Sequence, residues 1–508
     1  MARTSPPRIG RTVLARPVPI AAAALAGVLL VLLALAQAAA AAADPGVVQG
    51  AVDRYRAAMP VPGVAAATTT AEGKVVVAVS GRDGNGDPVT GDTRFMIASM
   101  SKAFTATAVM QQVDAGRLTL DDRVADRLPE LRLNDSRAAE MTVRQLLNHT
   151  SGLSLSTYDE YRWNPPGSPA QTVEALRGTR LAAAPGQRFE YSNTGYSLAA
   201  RIVEISSGMS FDSYLQAQIL RPLGMNDTVV VDRCDASAPG LSRGFITIAG
   251  RPVPVREMRG GCSGNGGLVS TVTDMARWMV FQTGDGTAPG GGRLLTKASL
   301  DLLHTPVQGV TGSDGYALGW RVEPAKDGVP QRIGHGGTLT TFTSFGAFVP
   351  ATGAGAVVLG NAVGDPSQLV GALLSADPAG ATFSDPLRWV NLGLLVTTVL
   401  AALVLLLVIA RSGRWARRLT AEGSRTWWRS IPLLLVALLG AALPFAFGAL
   451  QGVATPFAYV LTGYLIPMGA ALTLVLSLGG LLALWARIRA VRRARRKALP
   501  AGPYPGTG

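Results

Sequence analysis

The decisive stretch is FMIASMSKAFTATAV, residues 95–109, in which a short apolar run leads into a helical pattern. The pattern predicts a helix over 100–115, so that Ser99 and Lys102 lie one turn apart on the same face. A serine needs a base to become a nucleophile, and a lysine in an apolar pocket can be that base because burial favours its neutral form. The N–H groups at the start of the helix can stabilise an oxyanion.

The Ser-x-x-Lys spacing is weak evidence when it stands alone. A serine helix cap followed by a solvent-facing lysine produces the same spacing. However, only 5 of the 47 basic residues are lysines. An arginine keeps its proton at neutral pH whereas a lysine can lose it, so the lysine at 102 favours a chemical role.

Two later stretches can complete a site around this pair. Tyr191 and Asn193 follow a Pro-Gly turn and precede a helical pattern. A phenol beside the Lys102 cation can act as a base, and the amide of Asn193 can hold a substrate carbonyl. The stretch His335-Gly336-Gly337-Thr338 precedes a predicted strand. Its glycines permit close approach of a substrate backbone, and the Thr338 N–H can be a second oxyanion donor.

The order Ser-x-x-Lys, Tyr-x-Asn, His-x-Gly resembles the serine β-lactamase and penicillin-binding D,D-peptidase superfamily, in particular its class C-like branch, which includes esterases. The resemblance covers about residues 48–375. Four further stretches are similar to the family: LLNHTSGL at 146–153, RPLGMNDT at 221–228, GGLVSTVTDMARWM at 266–279 and YALGW at 316–320. The resemblance implies that Ser99 is the acylated nucleophile, that Lys102 and Tyr191 share its activation, and that the remaining residues bind substrate: Asn193, His335, Gly337 and Thr338.

The third motif departs from the β-lactamase pattern, which usually has lysine where this chain has His335. A lysine supplies a fixed cation for a substrate carboxylate, but a histidine is half protonated only near pH 6.5. The family often continues with a Pro-Gly-Phe-like turn, whereas residues 339–342 read Leu-Thr-Thr-Phe and lack the glycine. The substrate therefore stays open among a β-lactam, a D-Ala-D-Ala-type peptide and an ester.

Three other polar residues are expected to be structural. The resemblance implies a structural turn at His149, no motif surrounds His304, and Asp274 fits a helix N-cap better than a base. The chain has three histidines, two cysteines and no His-Glu-x-x-His motif. We therefore expect no catalytic metal and no cofactor.

The rest of the domain predicts an α/β (α+β) fold, with an antiparallel sheet flanked by helices and an all-helical region. Strand patterns occur near both ends, at 74–80, before a Gly-Asn-Gly turn and a second strand, and at 341–349 and 355–360. We expect the two ends to share one sheet. Helices are predicted between them at 100–115, 142–147, 200–207 and 271–282, and 285–292 is a glycine-rich loop.

Three uncharged apolar runs account for the positive mean hydropathy of +0.26. They cover residues 17–43, 389–410 and 430–486. The last run would extend about 85 Å as one helix, against a hydrocarbon core of about 30 Å, so it is expected to fold back around 451–462. The sequence thus predicts three C-terminal transmembrane helices, near 389–410, 431–450 and 463–485.

The positive net charge lies beside these runs. Of 33 acidic residues only Glu422 lies outside 44–387, whereas 18 of the 47 basic residues do. Basic loops favour the cytoplasm. The predicted organisation is a signal peptide or N-terminal anchor at 1–43, an extracytoplasmic domain at 44–387, three transmembrane helices within 388–486 and a basic cytoplasmic tail at 487–508. The tail lacks a nucleic-acid motif and interleaved aromatics, so we expect membrane lipid, and no nucleic acid, as its partner.

The two cysteines, Cys234 and Cys262, both lie in the extracytoplasmic domain, where oxidation is permitted. A disulfide between them is the favoured interpretation, and two buried thiols are the alternative.

These observations predict a multi-pass protein of the cell membrane whose outer domain is a serine hydrolase acting on a small-molecule or peptidoglycan-like substrate. The alternative is a catalytically silent receptor or scaffold of the same fold that binds cell-wall fragments.

Overall fold

The computed structural model describes residues 44–154, 157–158, 164–313, 315–326, 329–385, 387–421, 427–450 and 466–498. The predicted signal peptide or anchor at 1–43 and the fold-back at 451–462 lie outside the described residues.

Thirteen α-helices and eleven strands are described in this part of the chain. The helices are α1 Pro45–Ala58, α2 Ser101–Asp114, α3 Val124–Arg127, α4 Val143–Leu147, α5 Pro169–Ala175, α6 Asn193–Ser207, α7 Phe211–Leu215, α8 Val272–Thr283, α9 Lys297–Leu303, α10 Pro366–Leu373, α11 Arg388–Ala421, α12 Ile431–Leu450 and α13 Pro467–Ala498. The strands are β1 Gly63–Thr69, β2 Val75–Gly81, β3 Phe95–Met96, β4 Val229–Val230, β5 Gly244–Ile248, β6 Arg251–Val255, β7 Leu268–Ser270, β8 Arg321–Glu323, β9 Arg332–Thr338, β10 Thr343–Val349 and β11 Ala354–Gly360.

The main sheet has six antiparallel strands in the order β2-β1-β11-β10-β9-β8. Strand β1 pairs with β11, with Ala66 opposite Val358. Both strands are buried along their whole length because helices cover both faces of the sheet. The prediction that the two ends of the domain share one antiparallel sheet is confirmed.

Two strand predictions need correction. The hairpin partner of β2 is β1, which precedes it, and the segment after the Gly84–Gly86 turn forms only an isolated bridge between Arg82 and Pro88. The His335–Thr338 motif lies inside β9, a strand that the sequence did not predict because its glycines disfavour strands. Its glycines nevertheless form a strand because β9 pairs with β10 through the backbone, which needs no side chains.

The N-termini of two helices differ from the sequence predictions. The Ser192 side chain caps α6 by accepting from the Gly195 N–H, so the helix begins at Asn193, seven residues before the predicted start. Thr271, not Asp274, is the N-cap of α8. The buried carboxylate of Asp274 instead accepts from the N–H of Asp227 and the hydroxyl of Thr228.

The structure joins Cys234 and Cys262 in a disulfide, with Cα atoms 5.3 Å apart. The bridge spans 28 residues of sequence that include the β5–β6 hairpin. A closed loop of this size contributes about 3 kcal/mol to the free energy of unfolding.

Two C-terminal helices are long and apolar enough to cross a membrane, over Arg388–Thr420 and Pro467–Lys497. The apolar stretch of α12, Ile431–Ala446, is shorter than a membrane span. The prediction of three transmembrane helices is therefore supported for two of them and not clearly for the third.

Candidate active site

Ser99 lies in a short 3₁₀ turn, Ala98–Met100, between β3 and α2. The preceding Ala98 has φ of +48°, in the left-handed region that a side chain disfavours by about 1 kcal/mol or more. The strand β7 fixes the turn from both sides, because Leu268 accepts from the Ile97 N–H and donates to the Ser101 hydroxyl. Such strain persists where the surroundings hold it, and it is common at reactive residues.

Lys102 is fully buried and its ammonium reaches three oxygens. Nζ lies 3.0 Å from Ser99 Oγ, 2.7 Å from Asn193 Oδ1 and 2.9 Å from the carbonyl oxygen of Asn265. The first distance is short enough for direct proton transfer between the lysine and the serine. The helical spacing thus places the pair as predicted from the sequence, and α6 brings Asn193 to it.

Asn265 is a site residue that sequence reasoning missed. It follows Cys262 in the polar stretch Ser263-Gly264-Asn265, and its side chain donates to the hydroxyl of Ser197 on α6. The only signal in the sequence was a polar run between glycines ahead of an apolar strand. Its carbonyl oxygen accepts from the Lys102 ammonium, in addition to the oxygens of the motif residues Ser99 and Asn193.

Tyr191 lies over the lysine, with Nζ 4.8 Å from the centroid of its ring. The ring of His149 packs against the Tyr191 ring, with the centroids 4.3 Å apart. The Lys102 ammonium therefore makes a cation–π contact with the face of the Tyr191 ring. The structure therefore brings together four of the predicted residues, Ser99, Lys102, Tyr191 and Asn193.

His335 and His149 are linked through the hydroxyl of Tyr316. The Ser192 N–H donates to His149 Nδ1 at 3.1 Å, so the neutral ring carries its proton on Nε2, which lies 3.1 Å from Tyr316 Oη. The Tyr316 hydroxyl then donates to His335 Nε2 at 2.9 Å, and His335 Nδ1 donates to the carbonyl oxygen of Gly336 at 2.6 Å. These proton positions are assigned from the hydrogen-bond network.

Both histidines in this chain of hydrogen bonds are neutral at pH 7. Burial, reinforced by the Lys102 charge, lowers the pKa of His335 to about 3 and holds the pKa of His149 well below its usual value. His335 therefore does not supply a cation for a substrate carboxylate. His304 lies elsewhere, hydrogen-bonded to Gln282 and packed against the rings of Trp320 and Phe348.

Gly337 lets β9 approach the nucleophile turn closely. A Cβ atom at this position would lie 2.5 Å from Ser344 Oγ, and closer still to the carbonyl oxygen of Ile97. Thr338 is the next residue, ends β9 and lines the same cleft as Ser99. The close approach thus sets the end of β9 against the turn that carries Ser99.

Replacing Gly337 with alanine is expected to slow covalent labelling of Ser99 by a fluorophosphonate about a hundredfold, since a displacement of about 1 Å at a reacting centre costs that much. The added methyl group must push β9 away from the turn at Ile97. The control is Gly290→Ala, where a Cβ atom meets nothing within 4 Å. Equal labelling rates in the two variants would show that the close approach has no bearing on reactivity.

Ser99 opens into a cleft of about 450 Å³. The cleft is lined by Ser99, Tyr191, Asn193, Tyr316, Arg321, Glu323, Gly334, His335, Gly336, Thr338 and Phe345. Arg321 is the cation among these residues, and sequence reasoning missed it although it directly follows the YALGW stretch. Glu323 pairs with Arg332 at 2.8 Å. Among the described residues, no group of three or more His, Cys, Asp or Glu side chains can hold a metal ion.

Comparison with known proteins agrees with this geometry. The family model described as Beta-lactamase matches residues 48–378, about the whole of the domain that carries the cleft. The chain belongs to the Beta-lactamase family. This membership confirms the resemblance inferred from the motifs and places the chain in a family of serine hydrolases.

Relatives of this Beta-lactamase family chain include penicillin-binding proteins and amidases. Penicillin-binding protein 4 of Amycolatopsis lactamdurans is 34% identical over 322 residues, which are 61% of this chain and 83% of that protein. The octameric penicillin-binding protein homologue from Pyrococcus abyssi is 28% identical with a TM-score of 0.55, over 66% of this chain and 78% of that one. The D-amino acid amidase from Ochrobactrum anthropi, complexed with D-phenylalanine, is 27% identical with a TM-score of 0.53, over 62% and 91% of the two chains.

Proposed function

We propose that this protein is a serine hydrolase that acts through an acyl-enzyme on Ser99. The observation that carries the proposal is the 3.0 Å contact between Ser99 Oγ and the buried Nζ of Lys102. Ser99 Oγ attacks the substrate carbonyl carbon while its proton passes to the base formed by Lys102 and Tyr191. The same proton then goes to the leaving amine or alkoxide as its bond to carbon breaks. A water molecule hydrolyses the resulting ester and restores Ser99.

Two backbone N–H groups are proposed to stabilise the tetrahedral intermediate. The N–H of Ser99 belongs to the turn that precedes α2, and the N–H of Thr338 belongs to the end of β9 across the cleft. Fixed donors aimed at a developing oxyanion are typically the largest single contribution to acyl transfer. The strained turn at Ala98 and the close approach at Gly337 hold these two donors in place.

We infer that the substrate carries a carboxylate that Arg321 binds. Because His335 is neutral, it cannot replace the lysine of the usual third motif, whereas Arg321 lines the same cleft. A guanidinium always carries its charge and can bind a carboxylate with two hydrogen bonds. A β-lactam or a D,D-peptide has such a carboxylate, and the similarity to a penicillin-binding protein agrees with a substrate of this class.

Replacing Arg321 with glutamine is expected to raise KM for benzylpenicillin or a D-Ala-D-Ala peptide about tenfold or more, because a charge-assisted hydrogen bond contributes about 1.5–3 kcal/mol. The methyl ester of the same substrate lacks the carboxylate charge and serves as the control, as does the exposed Arg293→Gln. An equal rise in KM for the acid and for its methyl ester would contradict carboxylate binding at Arg321. Turnover of neutral esters alone by the unmodified protein would favour the esterase alternative.

The long C-terminal helices are proposed to anchor the hydrolase domain in the cell membrane with its cleft outside the cytoplasm. Leucines on α11 such as Leu403 and Leu406 are more than half exposed, and α13 ends in a run of arginines. Exposed apolar helices need lipid around them, and basic ends favour the cytoplasmic side. We expect the protein to stay in the membrane pellet after alkaline carbonate washing, and release into the supernatant would contradict the anchor.

A further inference from the structure

Glu257 holds the turn between β9 and β10 through both of its carboxylate oxygens. Oε1 accepts from the N–H of Thr340 at 3.1 Å and also from its hydroxyl. Oε2 accepts from the N–H of Thr341 at 2.8 Å and from its hydroxyl at 2.6 Å. Both threonines are buried, so removing the acceptor would leave their N–H and hydroxyl donors without a hydrogen bond and would lower the free energy of unfolding.

The turn that Glu257 holds continues directly from the proposed oxyanion donor. Thr338 pairs with Thr343, and the Leu339 N–H donates to the carbonyl oxygen of Phe342 at 2.9 Å to close the turn. The two central N–H groups, at Thr340 and Thr341, are directed away from that closing bond and meet the Glu257 carboxylate. A shift of the turn therefore moves the end of β9.

The segment that carries Glu257, between Cys234 and Cys262, packs against the turn between β9 and β10. A Cβ atom at Gly244 on β5 would lie 2.6 Å from Cβ of Thr341, so β5 runs in close contact with the turn. The Cys234–Cys262 disulfide closes the segment, and Asn265, three residues beyond it, accepts from Lys102. The disulfide-closed segment thus contacts the turn beside Thr338, and the residues that directly follow its second cysteine contact the proposed base.

We propose that Glu257 is a positioning residue for acylation, acting by fixing the β9–β10 turn so that the Thr338 N–H faces the developing oxyanion. The inference rests on the proposed function. Two threonines occupy the turn, and their buried N–H and hydroxyl groups need the acceptor that Glu257 supplies. Glu257 lies outside the residues that line the cleft, so it acts through the turn and not on the substrate.

The test uses the full-length protein in detergent and a fluorophosphonate that phosphonylates Ser99. Glu257→Gln keeps the shape of the side chain but presents an amide donor where an acceptor is needed. We expect the maximal labelling rate, kinact, to fall about ten- to a hundredfold while the reversible constant KI changes less than about twofold, as expected when an interaction made only in the transition state is lost. The exposed Glu174→Gln is the matched control and should label at the wild-type rate.

A double-mutant cycle separates this role from general stability. Thr340→Val and Thr341→Val together remove the hydroxyl donors. Adding Glu257→Gln to this double variant should lower kinact by a smaller factor than adding it to the wild type. A Glu257→Gln protein that labels at the wild-type rate, whatever its melting temperature, would overturn the inference, as would a change confined to KI. If the wild-type protein itself failed to label at Ser99, the proposed function would fail, which is a distinguishable result.

Discussion

Replacing Ser99 with alanine is expected to abolish substrate turnover, with a fall in kcat of about 10⁴-fold or more, because no acyl-enzyme can form without the nucleophile. The variant should fold normally, since the missing hydroxyl leaves Lys102 with the oxygens of Asn193 and Asn265. Turnover of benzylpenicillin and of a D-Ala-D-Ala peptide, each followed by mass spectrometry of the product, measures the effect.

The exposed Ser136→Ala is the matched control and should keep full activity. Activity in Ser99→Ala above about one per cent of wild type would contradict the acyl-enzyme on Ser99, since the oxyanion hole and binding alone leave far less. The same variant separates the enzyme from a silent receptor of the same fold. A wild-type protein that binds substrate without turnover, and a Ser99→Ala protein that binds it equally well, would support the receptor.

Replacing Lys102 with methionine is expected to lower the rate of covalent reaction at Ser99 about 10²- to 10⁴-fold, the usual range for loss of a positioned general base. Methionine fills nearly the same buried space but cannot take the Ser99 proton. Lys102→Arg should be similarly inactive, because a guanidinium keeps its proton and has a larger planar group. The Ser99 labelling rate with a fluorophosphonate, together with circular dichroism to verify folding, measures the effect.

The exposed Lys297→Met serves as its control, because Lys297 only pairs with Asp301 on the surface of α9. Labelling of Lys102→Met within about threefold of wild type would exclude Lys102 from the general-base role, since such a loss is far below the range for that role. Loss of folding would be visible in the spectrum and would direct the test to Lys102→Arg, which keeps the buried charge.

Local spacing made the nucleophile predictable from the sequence. Ser99 and Lys102 meet because one helical turn separates them, and that geometry is independent of the rest of the fold. The shared sheet was predictable as well, since apolar, β-branched runs at 74–80, 341–349 and 355–360 predicted strands near both ends of the domain, although β1 was not predicted. Both predictions rest on periodicities that are visible in a single stretch of chain.

Three parts of the site depend on contacts between distant segments and could not be predicted. Arg321, Asn265 and Glu257 lie in strands or loops without a motif of their own, and each reaches the site through tertiary packing. The neutral state of His335 depends on burial and on Tyr316, which lies 19 residues away in sequence. The sequence predicted a transmembrane helix near 431–450, and α12 covers these residues, but its apolar stretch, Ile431–Ala446, is shorter than a membrane span.

The most direct test of the account is to locate the covalent bond. The full-length protein is incubated with a fluorophosphonate, digested, and mapped by tandem mass spectrometry, with Ser99→Ala treated in parallel. The account predicts one adduct, on the Ser99 residue of the peptide that spans the start of α2, and none in the variant. An unmodified wild-type protein, or an adduct on another residue that persists in Ser99→Ala, would contradict it.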